Sequence, residues 1–146
     1  MSQLWTIGYE RATQDALVAA LVEARVELLA DIRALPLSRR AGFSKTSLKA
    51  AVEEAGMQYR HFRDLGTPKG GRDAARKGDY ATLRDVYAGQ LELPEAMAQM
   101  AELQSLAREH RTCLLCFCGE AEKCHRTLLI ADGFDHFEIH HLHPQM

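Results

Sequence analysis

The chain has 146 residues, a formal net charge of −2, 47% hydrophobic residues and 26% charged residues. These values suit one globular domain that buries roughly 68–70% of its unfolded surface without help from disulfides or metal. They argue against a generic nucleic-acid coat, which is strongly basic, and no apolar run approaches the ~18 residues of a membrane span.

The first ten residues, MSQLWTIGYE, lack the positive region and apolar core of a secretory signal. The four cysteines therefore read as reduced thiols of a cytoplasmic protein rather than as a disulfide framework. Residues 4–9 read as a first strand, with Gly8 near its end permitting a tight turn or close backbone approach. Thr13 is a cap for a helix over 14–24, whose apolar face carries Ala16, Leu17, Ala20, Leu21 and Ala24. Residues 26–33 form a second strand, with Asp31 and Arg33 at its far end, and 34–44 a loop marked by Pro36 and Gly42.

Ser44 or Thr46 can cap a helix through Ala55, with Gly56 as its stop. Residues 57–62 make a third strand that puts Tyr59 and His61 on one face. The stretch 63–79, rich in Gly and basic residues, reads as a mobile or ligand-facing loop. Asp79 caps a helix over 80–91, and Pro94 suits the first position of a helix through Glu109. Residues 112–117 are an uninterrupted apolar run, as expected of a strand covered on both faces. A helix near 124–132 and a last strand over 136–142 complete the chain. His136, His140, His141 and His143 read as surface or edge-strand residues.

This alternation predicts one α/β domain over 1–146: a three-layer, Rossmann-like sandwich with a largely parallel sheet of about five strands. Chemistry in such folds gathers beyond the carboxyl ends of the strands. Those ends carry Gly8, Tyr9 and Glu10; Asp31 and Arg33; His61, Arg63 and Asp64; and Cys116, Cys118 and Glu120.

Four motifs in order, TIGYE, DIRALPLSRRAGFS, YRHFRDLG and LLCFCGEAEKCHRTLLIA, resemble the family called domain of unknown function 488. The resemblance covers nearly the whole chain. It implies a small cytosolic bacterial or archaeal α/β protein and leaves the reaction open. In that family an acidic residue and a variable loop often precede the Cys-His-Arg tripeptide, a pattern that Glu120 and the segment AEK fit.

All four cysteines fall within residues 113–124. Cys113 and Cys116 read as small buried hydrophobes. Cys124, at a helix start beside His125 and Arg126, suits a reactive thiolate or a contact to a bound oxyanion; it equally suits helix-start packing, with metal ligation the lesser alternative. A zinc site would have to gather Cys116, Cys118, Cys124 and His125. A Cys-x-Cys followed by an adjacent Cys-His does not match the paired spacing of structural zinc. The Cys-to-Arg layout is similar to that of rhodaneses and cysteine phosphatases, but the interval from Cys118 to Arg126 is longer and holds one glycine, Gly119.

Positive charge concentrates in two stretches. Arg33, Arg39, Arg40, Lys45 and Lys49 occupy 33–49, and Arg60, Arg63, Lys69, Arg72, Arg76 and Lys77 occupy 60–77. Both should sit on one edge of the sheet and attract anions. Arg33 and Arg63 follow strands directly, where Asp31 or Asp64 can orient them toward the cleft, a structural salt bridge being the rival account for Arg33. Phe43 and Phe62 beside these stretches can stack on a base or pack the loops down.

The expected function is that of an enzyme with an anion-binding cleft, for a nucleotide-like or phosphorylated small molecule. Gly8, Tyr9, Asp31, Arg33, Arg63, His125 and Arg126 are the expected ligand contacts, and Cys124, Glu120, Glu10 and His61 the catalytic candidates. No metal is assigned, and the cofactor and oligomeric state stay open. The alternatives are a nucleic-acid-binding module, disfavoured by the charge balance, and a zinc-stabilised structural protein.

Overall fold

Short apolar runs bounded by turns become strands, and here they lie side by side. A computed structural model of the protein describes residues 2–38, 40–117 and 125–144. Among them one sheet holds β1 (Gln3–Gly8), β2 (Leu28–Asp31), β3 (Gln58–His61), β4 (Thr112–Cys116) and β5 (Glu138–Leu142). Its order is β3-β2-β4-β1-β5, and every pairing is parallel. The three central strands are buried almost throughout, while the edge strand β3 alternates and the edge strand β5 is half-buried or exposed along its length.

The helices are α1 (Gln14–Glu23), α2 (Lys45–Glu54), α3 (Lys69–Arg76), α4 (Tyr80–Leu91), α5 (Pro94–Glu109) and α6 (His125–Gly133). Their starts follow the sequence chemistry. Thr13 Oγ1 accepts from the Ala16 amide at 3.1 Å, and Asp79 Oδ1 from the Thr82 amide at 3.2 Å. Pro94 takes the first helical position of α5, and Gly56 adopts φ +93° just beyond α2.

The stretch 63–79 differs from expectation. Instead of one open loop it forms a 3₁₀ turn, Arg63–Leu65, and the helix α3. Gly70 and Gly71 lower helix propensity there, but packing overrides them. A Cβ on Gly71 would overlap the Thr67 methyl group, and the buried Ala74 faces inward on the same helix. The Thr67 methyl group packed against the backbone of Gly71 is what requires glycine at that position.

The order of connections decides the layers. From β1 to β2 to β3 the chain steps one way along the sheet, and from β3 to β4 to β5 it steps back. With right-handed crossovers the two sets of helices fall on opposite faces. Leu17, Leu21, Leu48 and Val52 of α1 and α2 accordingly pack on Ile7, Leu29, Cys113 and Leu115. Tyr87, Met100, Leu103 and Leu129 of α4, α5 and α6 pack on Leu4, Ala30, Leu114 and Cys116. This is the expected three-layer α/β sandwich. The chain leaves β4 toward one face and leaves its neighbours β1 and β2 toward the other, so a crevice opens beyond the carboxyl ends of all three. No helix among the described residues is long and apolar enough to cross a membrane.

Candidate ligand-binding cleft

The crevice is built outward from the end of β2. Asp31 and Arg33, two residues apart, emerge on the same side of the chain. Asp31 Oδ1 accepts from Arg33 Nε at 2.8 Å and from the Arg33 amide at 3.1 Å; Oδ2 accepts from Arg33 Nη2 at 2.7 Å and from the Tyr59 hydroxyl. Arg33 Nη1 donates to the Phe43 carbonyl at 2.6 Å and to the Tyr9 oxygen at 3.2 Å. Asp31 is completely buried and Arg33 nearly so. Burial alone would favour a neutral guanidine. The two hydrogen bonds and the charge of Asp31 outweigh it and hold Arg33 above its ordinary range. Burial and then the charge of Asp31 push the Tyr59 phenol up, against an opposing pull from Arg33.

Both Asp31 oxygens are therefore taken by protein donors, and Asp31 positions Arg33 instead of facing a ligand. Asp64, the other expected orienting carboxylate, is held by Gln99, whose Nε2 donates to Oδ2 at 2.8 Å. Tyr9 stacks on Phe43 with ring centroids 4.6 Å apart and meets Phe117 edge-on at 5.4 Å. Because a guanidinium only donates, the Tyr9 oxygen is the acceptor and its own proton is directed elsewhere.

Two imidazoles hold the next stretch of backbone. His61 Nε2 donates to the Arg33 carbonyl at 2.7 Å and His125 Nε2 to the Ile32 carbonyl at 2.9 Å, so each carries its proton on Nε2. Loop 34–44 is fastened as well. Arg40 donates to the carbonyls of Tyr9 (2.6 Å), Glu10 and Ala12, and Gln14 Nε2 to that of Gly42 at 2.7 Å.

A cavity of about 490 Å³ opens here, within the usual range for small-molecule sites. Tyr9, Arg33, Ala34, Leu35, Leu37, Phe117 and His125 line it from the ends of β1, β2 and β4 and the start of α6; Thr67, Arg72, Ala75, Arg76 and Leu83 close it from α3 and α4. Arg72 Nη1 donates to the Thr67 carbonyl at 2.8 Å, and Arg76 pairs with Asp73 on the surface. Gly66 fixes how the two sides meet, because a Cβ there would run into the backbone of Ala34.

Of the residues expected from sequence, Tyr9, Arg33 and His125 line the cavity. Gly8 stands one residue back, in register with Cys116. Glu10 and Arg63 are exposed and outside the lining, and His61 is engaged with backbone behind it. Arg126 is fully buried and is not among the lining residues. A residue directly after an apolar strand can point inward, as Arg33 does, or out, as Arg63 does, and period alone does not decide. Cys118, Glu120 and Cys124 lie outside the described residues, as does Arg39.

Phe43 and Phe62 are both buried, so they pack the loops down and offer no face to a base. Cys113 and Cys116 are buried in β4, as their sequence setting suggested. Among the described residues no group of three or more His, Cys, Asp or Glu is placed to hold a metal ion. Sequence reasoning missed Leu35, Leu37, Thr67 and Phe117 as lining residues, and named Arg72 and Arg76 only as members of a basic stretch. The legible signal was their four-residue spacing, which puts both on one helical face.

The sequence model of the family described as "Domain of unknown function DUF488" matches residues 13–131. No curated protein and no solved structure matches the chain.

Proposed function

The chain belongs to the DUF488 family, and because that membership assigns no reaction we propose its function from the cleft: the protein binds an anionic organic small molecule beyond the ends of β1, β2 and β4. One observation carries the reading. Among the described residues the cavity is lined by Arg33, Arg72, Arg76 and His125, and by no Asp or Glu. Arg72 matters most, since it pairs with no carboxylate among the described residues. Its charge stands beside the mostly apolar walls of a recess, where fields are strongest. The Tyr9 hydroxyl, held by Arg33 at its oxygen, has its proton to offer an anion.

An enzymatic role adds Cys124 and Glu120. In sequence they stand between Phe117 and His125, both of which line the cavity. The thiol would then act as a nucleophile or polar contact and the carboxylate as an acid-base group. The cleft chemistry assigns no reaction class.

The nucleic-acid reading is weakened by what happens to its residues. Phe43 and Phe62 are buried, Arg60 pairs with Glu102, and Arg40 is engaged with three carbonyls. The zinc-stabilised reading is settled by metal analysis of the purified, untagged chain, where less than about half an equivalent of zinc would exclude it, because structural sites are filled as purified.

The cleft itself is tested with the anionic fluorophore 8-anilinonaphthalene-1-sulfonate. Arg72→Ala should weaken its binding at least about tenfold, from the ~1.5–3 kcal/mol of a hydrogen bond to a charged group. Unaltered binding would remove the proposal.

A further inference from the structure

The same cleft also constrains what kind of anion it takes. Resting on the reading above, we infer that the ligand is amphipathic: a single phosphomonoester or carboxylate head on an apolar aryl or alkyl body, and not a nucleoside triphosphate or bare inorganic anion.

The charge count comes first. Arg33 is neutralised by Asp31 in a buried bidentate pair, and Arg76 faces Asp73 at the surface. That leaves Arg72 as the lining arginine without a carboxylate among the described residues, with the His125 imidazole also in the lining. A phosphomonoester carries about −1.5 to −2 at pH 7 and a carboxylate one charge. Either matches that supply. A triphosphate chain, with its larger charge, would go largely uncompensated.

The rim supplies the second argument. Leu35, Leu37 and Phe117 are 56%, 73% and 49% exposed, yet all three line this one cavity. Singly exposed apolar residues are ordinary, but a cluster of them around a recess marks a contact surface. Leu35 and Leu37 flank Pro36 on a loop that Arg40 and Gln14 fasten down, so their exposure comes from a held backbone.

Third, the described residues of the lining include no Asn, Gln, Asp or Glu side chain. Among those residues the uncharged side-chain hydrogen-bonding groups are the hydroxyls of Thr67 and Tyr9. Discrimination of a nucleobase by its polar edge needs matched donors and acceptors, and these walls offer apolar contact in their place.

The test is calorimetry on the full-length chain with four probes: 1-naphthyl phosphate, 1-naphthoate, inorganic phosphate and ATP. At least one naphthyl probe should bind ten times or more tighter than either phosphate or ATP, and the better of the two identifies the head group. The double substitution Leu35→Ser/Leu37→Ser, at two exposed sites, should reduce that preference at least threefold without altering phosphate affinity or circular dichroism. Equal or tighter binding of ATP or phosphate overturns the inference, as does a preference that survives the double substitution. Binding that Arg72→Ala weakens for every probe, without a naphthyl preference, defeats this inference and spares the cleft. Binding insensitive to Arg72→Ala, or none with any probe, defeats both.

Discussion

Removal of either partner of the Asp31–Arg33 pair should be among the most damaging single changes to this protein. Asp31 accepts four hydrogen bonds while completely buried, three from Arg33 and one from Tyr59. Asp31→Ala leaves a buried guanidinium without its counter-charge, and a broken buried pair costs about 3–5 kcal/mol. Against a total stability of about 5–15 kcal/mol, the variant still folds but melts lower. At roughly 2–4 °C per kcal/mol for a chain of this size, the midpoint should fall by about 6–20 °C. Arg33→Ala should cost a similar amount, because it strands Asp31 and also frees the Phe43 carbonyl and Tyr9. The apolar pair Asp31→Leu/Arg33→Met should be milder than either single change, since it removes both charges and leaves neither unpaired. Urea unfolding of the wild type, the two singles and the Asp31→Ala/Arg33→Ala double would give a coupling of ~2 kcal/mol or more. Two singles that each cost less than ~1 kcal/mol, and that add, would refute the reasoning.

Three further predictions concern the frame around the cleft. Gly66→Ala should lower stability by about 1–3 kcal/mol, because its methyl group meets the Ala34 backbone. Gly70→Ala, with open space around it in α3, should raise stability by about 0.5–1 kcal/mol; equal urea midpoints for the two variants would contradict this contrast. Burial pushes the Cys113 thiol up, with the charge of Arg126 opposing, and Cys116 is equally buried. Peptide mapping after native maleimide treatment should find neither residue modified until the chain is unfolded. The raised Tyr59 phenol sets the sign of an alkaline effect. Its contribution is fully present below the unfolded value of about 10 and is lost as pH rises above it. Stability measured from pH 9 to 11 should therefore fall in the wild type, and less steeply in Tyr59→Phe.

The fold could be read from the sequence because each signal in it is local. An apolar run such as 112–117 is short and uninterrupted, Thr13 and Asp79 sit where orphan amides need an acceptor, and Pro94 sits where a missing amide costs nothing. Helix α3 was illegible because what holds it is not local. Gly70 and Gly71 argue against a helix, and the Thr67 methyl group that demands glycine is recognisable only once the turn before it is folded. The candidate site divides in the same way. Tyr9, Arg33 and His125 follow strands or open a helix, so topology alone brings them to the crevice. Leu35 and Leu37 look like core residues by composition, and only the fastening of loop 34–44 leaves them exposed around a recess. Arg63 and Arg72 are equally basic and close in sequence, and the difference between an outward residue and a lining one lies in the helix that sequence reading left out.

The most direct measurement of where the anion goes is an amide chemical-shift titration of the isotope-labelled chain with 1-naphthyl phosphate. The cleft account predicts that the largest shifts fall at residues 34–37, 67–76, Phe117 and His125. Shifts centred on Glu27 and Arg111, at the opposite ends of β2 and β4, would contradict it, as would a spectrum unchanged at saturating probe.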